Sequence, residues 1–212
     1  MSVAVVLGAG KAAESITKLL LNGGGRVALV GARPAAIISA LKEDAEAAIP
    51  FLFVDDIKHQ EDHVRKRLAR LSFHPSINEI ETDLSIVFDA AGNASSTDAV
   101  HATRKLHPRT PVASVDDRIA LEDAFHIALH MYQPIEYTKI AQIVHSSTTD
   151  AASISVLRKT LQKAGITEIT AAEGVEASSL VSSWSGDGPS LQYQVASLIG
   201  VRHEDEKDAV MH

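Results

Sequence analysis

Two stretches of the chain combine residue types that could do chemistry. Gly8-Ala9-Gly10-Lys11-Ala12-Ala13 has the spacing G-x-G-x-x-G/A. In that pattern the first glycine makes a tight turn and the second lets a diphosphate approach the backbone. A small third residue lets the following helix pack closely on the preceding strand. The helix N-terminus adds N–H donors and the positive end of a dipole. Gly8, Gly10, Lys11 and Ala13 are therefore expected to hold a dinucleotide; the competing reading is a tight turn without ligand. The second stretch, VHSSTTDAAS from Val144 to Ser153, gathers small hydroxylated residues ahead of a helix. A hydroxyl there can be a nucleophile if a base activates it, or it can cap the helix.

One companion of the glycine pattern is absent. An acidic residue at the end of the second strand would hold the ribose hydroxyls of NAD. Here that position reads Val30-Gly31-Ala32-Arg33. Arg33 could pair with a 2′-phosphate, which favours NADP over NAD. It could equally be a solvated residue beside an adenosine pocket that has decayed, with the cofactor lost.

Composition limits the alternatives. The chain has 212 residues, 45% of them hydrophobic, enough to bury a core in one large domain or two modest ones. The net charge is -7 and no block of Lys and Arg stands out, so no nucleic-acid partner is expected. The tight cluster Arg65-Lys66-Arg67 reads as a solvated helix face. Cysteine is absent, which excludes disulfides, thiolate metal sites and thiol nucleophiles. The ten histidines show no metal-ligand spacing on one helix, so no metal is expected. No apolar run is long enough to span a bilayer, and a cytoplasmic protein is expected.

The elements that must position these residues follow from periodicity. Val3 to Leu7, Val27 to Val30, Ile49 to Val54, Leu84 to Phe88 and Pro111 to Ser114 read as strands. Helices are predicted over Lys11 to Leu21, Pro34 to about Ala47, His59 to Leu71 and Ser95 to Leu106. Gly23-Gly24-Gly25 ends the first of them. Strands alternating with helices define an α/β protein with a doubly wound, Rossmann-like parallel sheet. Further on, Phe125, Ile127, Leu129 and Met131 alternate with His126, Ala128 and His130, the period of a half-exposed strand. Ile140 to Val144 is a short strand. A helix runs from Thr149 to Ala164, capped by Gly165. Two strands (Ile169 to Val175, Leu180 to Trp184) and a helix (Leu191 to Val201) complete the reading. The boundaries are 1–146 for the dinucleotide-binding domain, 147–202 for a reduced, truncated α+β domain whose last helix packs back on the first, and 203–212 for a charged tail.

From Leu84 onward the chain resembles the phosphorylating glyceraldehyde-3-phosphate dehydrogenases. VFDAAGNASSTDAVHA resembles the strand and helix flanking the nicotinamide in that family, which assigns Gly92 and Asn93 to the cofactor side. AFHIALHMY and IVHSSTTDAASISVL resemble its next strand and its catalytic helix. SSLVSSW and SLQYQVASLIGVRH resemble its last strand and C-terminal helix. Under this correspondence Ser147 stands at the catalytic cysteine, Asp150 at an asparagine and Ala151 at a second cysteine. Val175-Glu176-Ala177 stands where the family has the strand bearing its histidine base. A serine without an activating base is a weak nucleophile. A Ser147–Glu176 pair could be catalytic; the simpler reading is that Ser147 caps the helix.

The resemblance implies a shortened, non-catalytic relative that keeps dinucleotide binding in a regulatory or binding role. The alternative is an active NAD(P)-dependent oxidoreductase acting on a small aldehyde or ketone without a thiol. A third reading is an assembly module with no nucleotide affinity. The half-exposed strand Phe125 to Met131 points to a homo-oligomer, a dimer or tetramer.

Overall fold

The computed structural model describes residues 2–31, 34–52, 57–91, 94–115, 124–145 and 147–169. The chain divides into two compact units, Met1–Glu168 and Ile169–His212, and nearly all described residues lie in the first. Arg33, Gly92, Asn93 and Glu176 fall outside the described residues. So do the strand expected at Leu180 to Trp184, the helix at Leu191 to Val201 and the charged tail.

An eight-stranded sheet with the order β3-β2-β1-β4-β5-β6-β7-β8 organises the described residues. At its centre β1 (Val3–Leu7) is buried at every position, because parallel strands covered on both faces tolerate only apolar side chains. It pairs in parallel with β2 (Val27–Val30) and with β4 (Leu84–Asp89). β3 (Leu71–His74) adds in parallel to β2, and β5 (Val112–Ser114) to β4. β6 (His126–Met131) continues in parallel from β5, whereas β7 (Ile140–Val144) runs antiparallel to β6. β8 (Thr167–Ile169) lies beside β7 at the edge. The order of the chain reverses between β1 and β4. In open α/β sheets, ligands bind outside the carboxyl ends of the strands at such a switch point.

Helices cover both faces, so the doubly wound α/β architecture is observed. On one face α1 (Lys11–Asn22), α2 (Pro34–Leu52) and α6 (Ala151–Lys163) bury Ile16, Leu19, Leu41, Ile154, Leu157 and Leu161 against the sheet. Each such side chain contributes about 1.5–3 kcal/mol of transfer free energy. On the other face α4 (Ala94–Leu106) and a 3-10 turn (Ile77–Glu79) pack against Val5, Leu7, Val30 and Val87. Gly23 closes α1, and a Cβ there would run into the backbone carbonyl of Lys163 at the end of α6. Gly165 takes φ +73 just past α6, as the capping pattern predicts.

Four expectations need correction. The apolar run Ile49 to Val54 is not a strand; as far as Leu52 it continues α2. The alanine-rich stretch before it favours helix strongly enough to carry Pro50 in its last turn. The charged helix α3 (Ile57–Leu68) stops earlier than predicted, and Leu71 opens strand β3 instead. That strand is only partly buried, so it lacks the continuous apolar run that marked its neighbours. Arg67 is not solvated; it is 2% exposed and its Nη1 donates to Asp44 Oδ2 at 2.8 Å. Lastly, β6 is not half exposed, since it sits between β5 and β7 and all its residues except His130 are buried. His126 is accommodated there by Ser114, whose Oγ lies 2.7 Å from its Nε2. The argument for an oligomer drawn from that strand therefore falls away.

Candidate functional site

The glycine turn joins β1 to α1, and its two glycines differ in a way that defines their roles. Gly8 has φ +125, in the left-handed region that favours glycine. A Cβ on it would lie 3.1 Å from backbone atoms of Ala90 and Ala91, at the end of β4. That approach is itself fixed: Ala90 N donates to Leu7 O at 3.0 Å and Ala91 N to Asp89 Oδ1 at 3.2 Å. Gly8 N donates to Val30 O at 3.0 Å, tying the turn to β2. Gly10 is the opposite case. It has ordinary extended geometry at the N-cap of α1, and nothing lies within 4 Å of where its Cβ would be. Space is thus kept open directly over the helix N-terminus, and no side chain caps it. Ala13 is 1% exposed and lets α1 lie close on the sheet.

The open side of the turn faces a cleft of about 670 Å³. Leu7 to Gly10 form one wall, with Val30 and Gly31 at the end of β2 and Ala90 and Ala91 at the end of β4. The far end is built from Pro75 to Asn78 after β3 and from Asp98, Ala99 and Ala102 on α4. This is the switch point of the sheet, with a volume in the range of small-molecule sites. Gly31 has φ +80 and open space around its Cβ position. A smaller hollow of about 420 Å³ lies on the other side of the turn, lined by Ala13, Glu14, Ala36 and Ile37 among others.

Charge near the turn is arranged around Glu14. Lys11, at the first helical position with an 89% exposed side chain, places Nζ 3.3 Å from one Glu14 oxygen. Lys18 Nζ lies 3.9 Å from the other.

The expected nucleophile lies elsewhere. Ser147 is exposed in a turn between β7 and α6 and lines none of these hollows. Because β7 is antiparallel, it delivers Ser147 to the amino-terminal edge of the sheet, opposite the glycine turn. Asp150 N donating to Ala124 O at 2.7 Å, just before β6, fixes that placement. The cap of α6 is Asp150, whose side chain accepts from Ser153 N at 2.8 Å and Ser153 Oγ at 2.8 Å. These bonds hold the Asp150 carboxyl below its usual pKa. The capping role assigned to Ser147 is therefore corrected to Asp150.

Residues that sequence reasoning missed lie on β6, α4 and the 3-10 turn. His130, near the carboxyl end of β6, is half-buried and stands opposite Gln142 of β7. Its ring meets that of Tyr132 edge-on, with centroids 4.8 Å apart. Nothing in the sequence marks it among the ten histidines; the pairing of β6 with β7 gives it its place. Among the described residues no group of His, Asp and Glu could hold a metal ion. No helix there is long and apolar enough to cross a membrane.

Fold and glycine turn together define a Rossmann-like α/β protein. Among solved structures the chain is similar to a diketoreductase that acts on dicarbonyl compounds, with 16% identity over 86% of this chain and 69% of that one, TM-score 0.69. It is similar to 3-hydroxybutyryl-CoA dehydrogenase from Escherichia coli, with 15% identity over 79% of this chain, TM-score 0.65. It is also similar to prephenate dehydrogenase from A. aeolicus, solved with NAD+, with 12% identity over 80% of this chain, TM-score 0.54. The chain spans 37% of the second and 59% of the third. At such low identity the structural likeness shows a shared fold. No protein-family model matches the sequence, and no curated protein matches it. The resemblance to glyceraldehyde-3-phosphate dehydrogenase is overturned: the structural relatives are of the 3-hydroxyacyl-CoA dehydrogenase type. The supposed catalytic helix also starts at the wrong edge of the sheet.

Proposed function

We propose that the protein is a nicotinamide-dependent oxidoreductase that interconverts a hydroxyl and a carbonyl group on a small acyl or dicarbonyl substrate. The observation that carries this reading is the contrast between Gly8 and Gly10. One is closed by the backbone of Ala90 and Ala91, the other is open above a helix N-terminus, and both front a cleft at the switch point. The activities of the similar structures, a diketoreductase and a 3-hydroxybutyryl-CoA dehydrogenase, support the substrate class. The residues present suit a dinucleotide. Gly8, Gly10, Lys11 and Ala13 would hold the diphosphate, and Arg33 beyond the acid-free end of β2 favours NADP. The cofactor, when bound, supplies the hydride acceptor or donor.

The chain must also move a proton on the substrate oxygen. His130 suits that role: an imidazole can both accept and donate a proton, and the residue stands near the carboxyl end of a strand parallel to those that form the cleft. Titration of the protein with NADH and NADPH, by fluorescence or calorimetry, tests the binding step. Gly10→Val fills the open space and is expected to abolish binding while lowering the melting temperature only slightly, through poorer capping of α1. Unaltered binding in Gly10→Val, or none in the wild type, would remove this reading.

A further inference from the structure

We infer that the end of the cleft between the 3-10 turn and α4 is a purine slot in which Asp98 reads the exocyclic amine of adenine. This rests on the dinucleotide reading of the cleft. The slot has apolar walls: Ile77, 2% exposed, on the 3-10 turn, and Ala99 and Ala102 on α4, where alanine leaves room for a flat ring. The turn is capped by Ser76, whose Oγ accepts from Asn78 N at 3.3 Å. The alanines follow one another at helical spacing, so they line one side of the slot.

Asp98 is the single ionisable side chain among the described residues lining the cleft. A carboxylate is unfavourable in a site for a ligand carrying a diphosphate unless it faces a donor. Two parts of the ligand offer donors, the ribose and the base. The ribose belongs at the end of β2, where Gly31 stands, whereas Asp98 shares its stretch of wall with Ala99 and Ala102. A purine enclosed by apolar faces is distinguished through its edge, and a carboxylate can accept from the N6 amine of adenine.

The test is a double-mutant cycle on binding. The probes are the dinucleotide, in whichever phosphate form binds, and its analogue with unsubstituted purine in place of adenine, which lacks the amine and adds no donor. Wild type is expected to bind the adenine form about tenfold more tightly, the scale of one charge-assisted hydrogen bond. Asp98→Ala is expected to bring the two forms together. Removing a negative charge aids every anionic ligand, but that gain cancels in the ratio. Asp98 is exposed on α4, so the variant keeps its fold, which circular dichroism verifies. Equal binding of both forms by wild type, or a tenfold gap that survives in Asp98→Ala, overturns the slot while leaving the dinucleotide reading intact. Failure of wild type to bind either form overturns both.

Discussion

Lys18 of α1 and Glu136 of α5 (Ile135–Thr138) form an ion pair at 3.0 Å across 118 positions of sequence, with side chains 10% and 28% exposed. Ser15 Oγ donates to the same Glu136 oxygen at 2.8 Å. The first helix after the glycine turn is thus clamped to the turn that follows β6, and the clamp lets a lysine be buried on a helix that is covered on nearly all sides. Glu136→Gln removes the charge and keeps the shape. It is expected to destabilise the protein by about 1–3 kcal/mol in urea unfolding, less than a fully buried pair because Glu136 is partly solvated. A loss of a few tenths would mean that Glu14, 3.9 Å from Lys18, compensates.

Lys11 is available to a diphosphate because leaving Glu14 does not isolate that carboxylate; Lys18 remains beside it. The Lys11–Glu14 contact is exposed and of little energetic weight, so exchanging Glu14 for a phosphate is easy. Lys11→Ala is expected to weaken dinucleotide binding about fivefold at low salt, near 1 kcal/mol. The difference should shrink as ionic strength rises and charges are screened. A calorimetric titration at two salt concentrations checks both parts, and an effect independent of salt would assign Lys11 to the fold.

The central sheet was legible in the sequence because its strands are buried on both faces. VAVVL, VALV and LSIVFD carry apolar runs that admit few other readings. The glycine turn was legible because its backbone shape restricts residue type at Gly8. The far half was misread for a different physical reason. Small hydroxylated residues before a helix look alike whether they form an active site or a cap. What separates the two is the direction of β7, which depends on its pairing with β6. His126 illustrates the same limit: alternation with apolar residues suggests a wet face, yet a hydroxyl on the neighbouring strand lets the imidazole be buried. Asp98 and Ile77 could not be associated by spacing, since the end of the cleft that they line forms only where α4 meets the 3-10 turn.

His130→Asn keeps a polar side chain of similar reach and removes the imidazole that would carry the proton. With a carbonyl substrate and the reduced cofactor, kcat is expected to fall by about 10²–10⁴, the range of general acid–base catalysis. Cofactor affinity should be unchanged, because His130 is not among the residues lining the cleft. Steady-state rates together with a binding titration separate the two effects. A variant with undiminished kcat would move the proton transfer to another group.

Asp150 ties the turn after β7 to α6 by accepting from both Ser153 N and Ser153 Oγ. Those bonds favour the ionised carboxylate and lower its pKa in the folded protein. A group whose folded pKa is depressed contributes stability above its unfolded pKa, and that contribution is lost as pH falls through the folded value. Asp150→Asn still accepts a hydrogen bond but carries no charge to meet the helix dipole. It is expected to melt below wild type at neutral pH. The gap should be undiminished down to the ordinary carboxylate range and close below it, as Asp150 becomes protonated. Melting curves of both proteins from pH 7 downward measure this. A gap that persists in strong acid would show that Asp150 acts through packing and not through its charge.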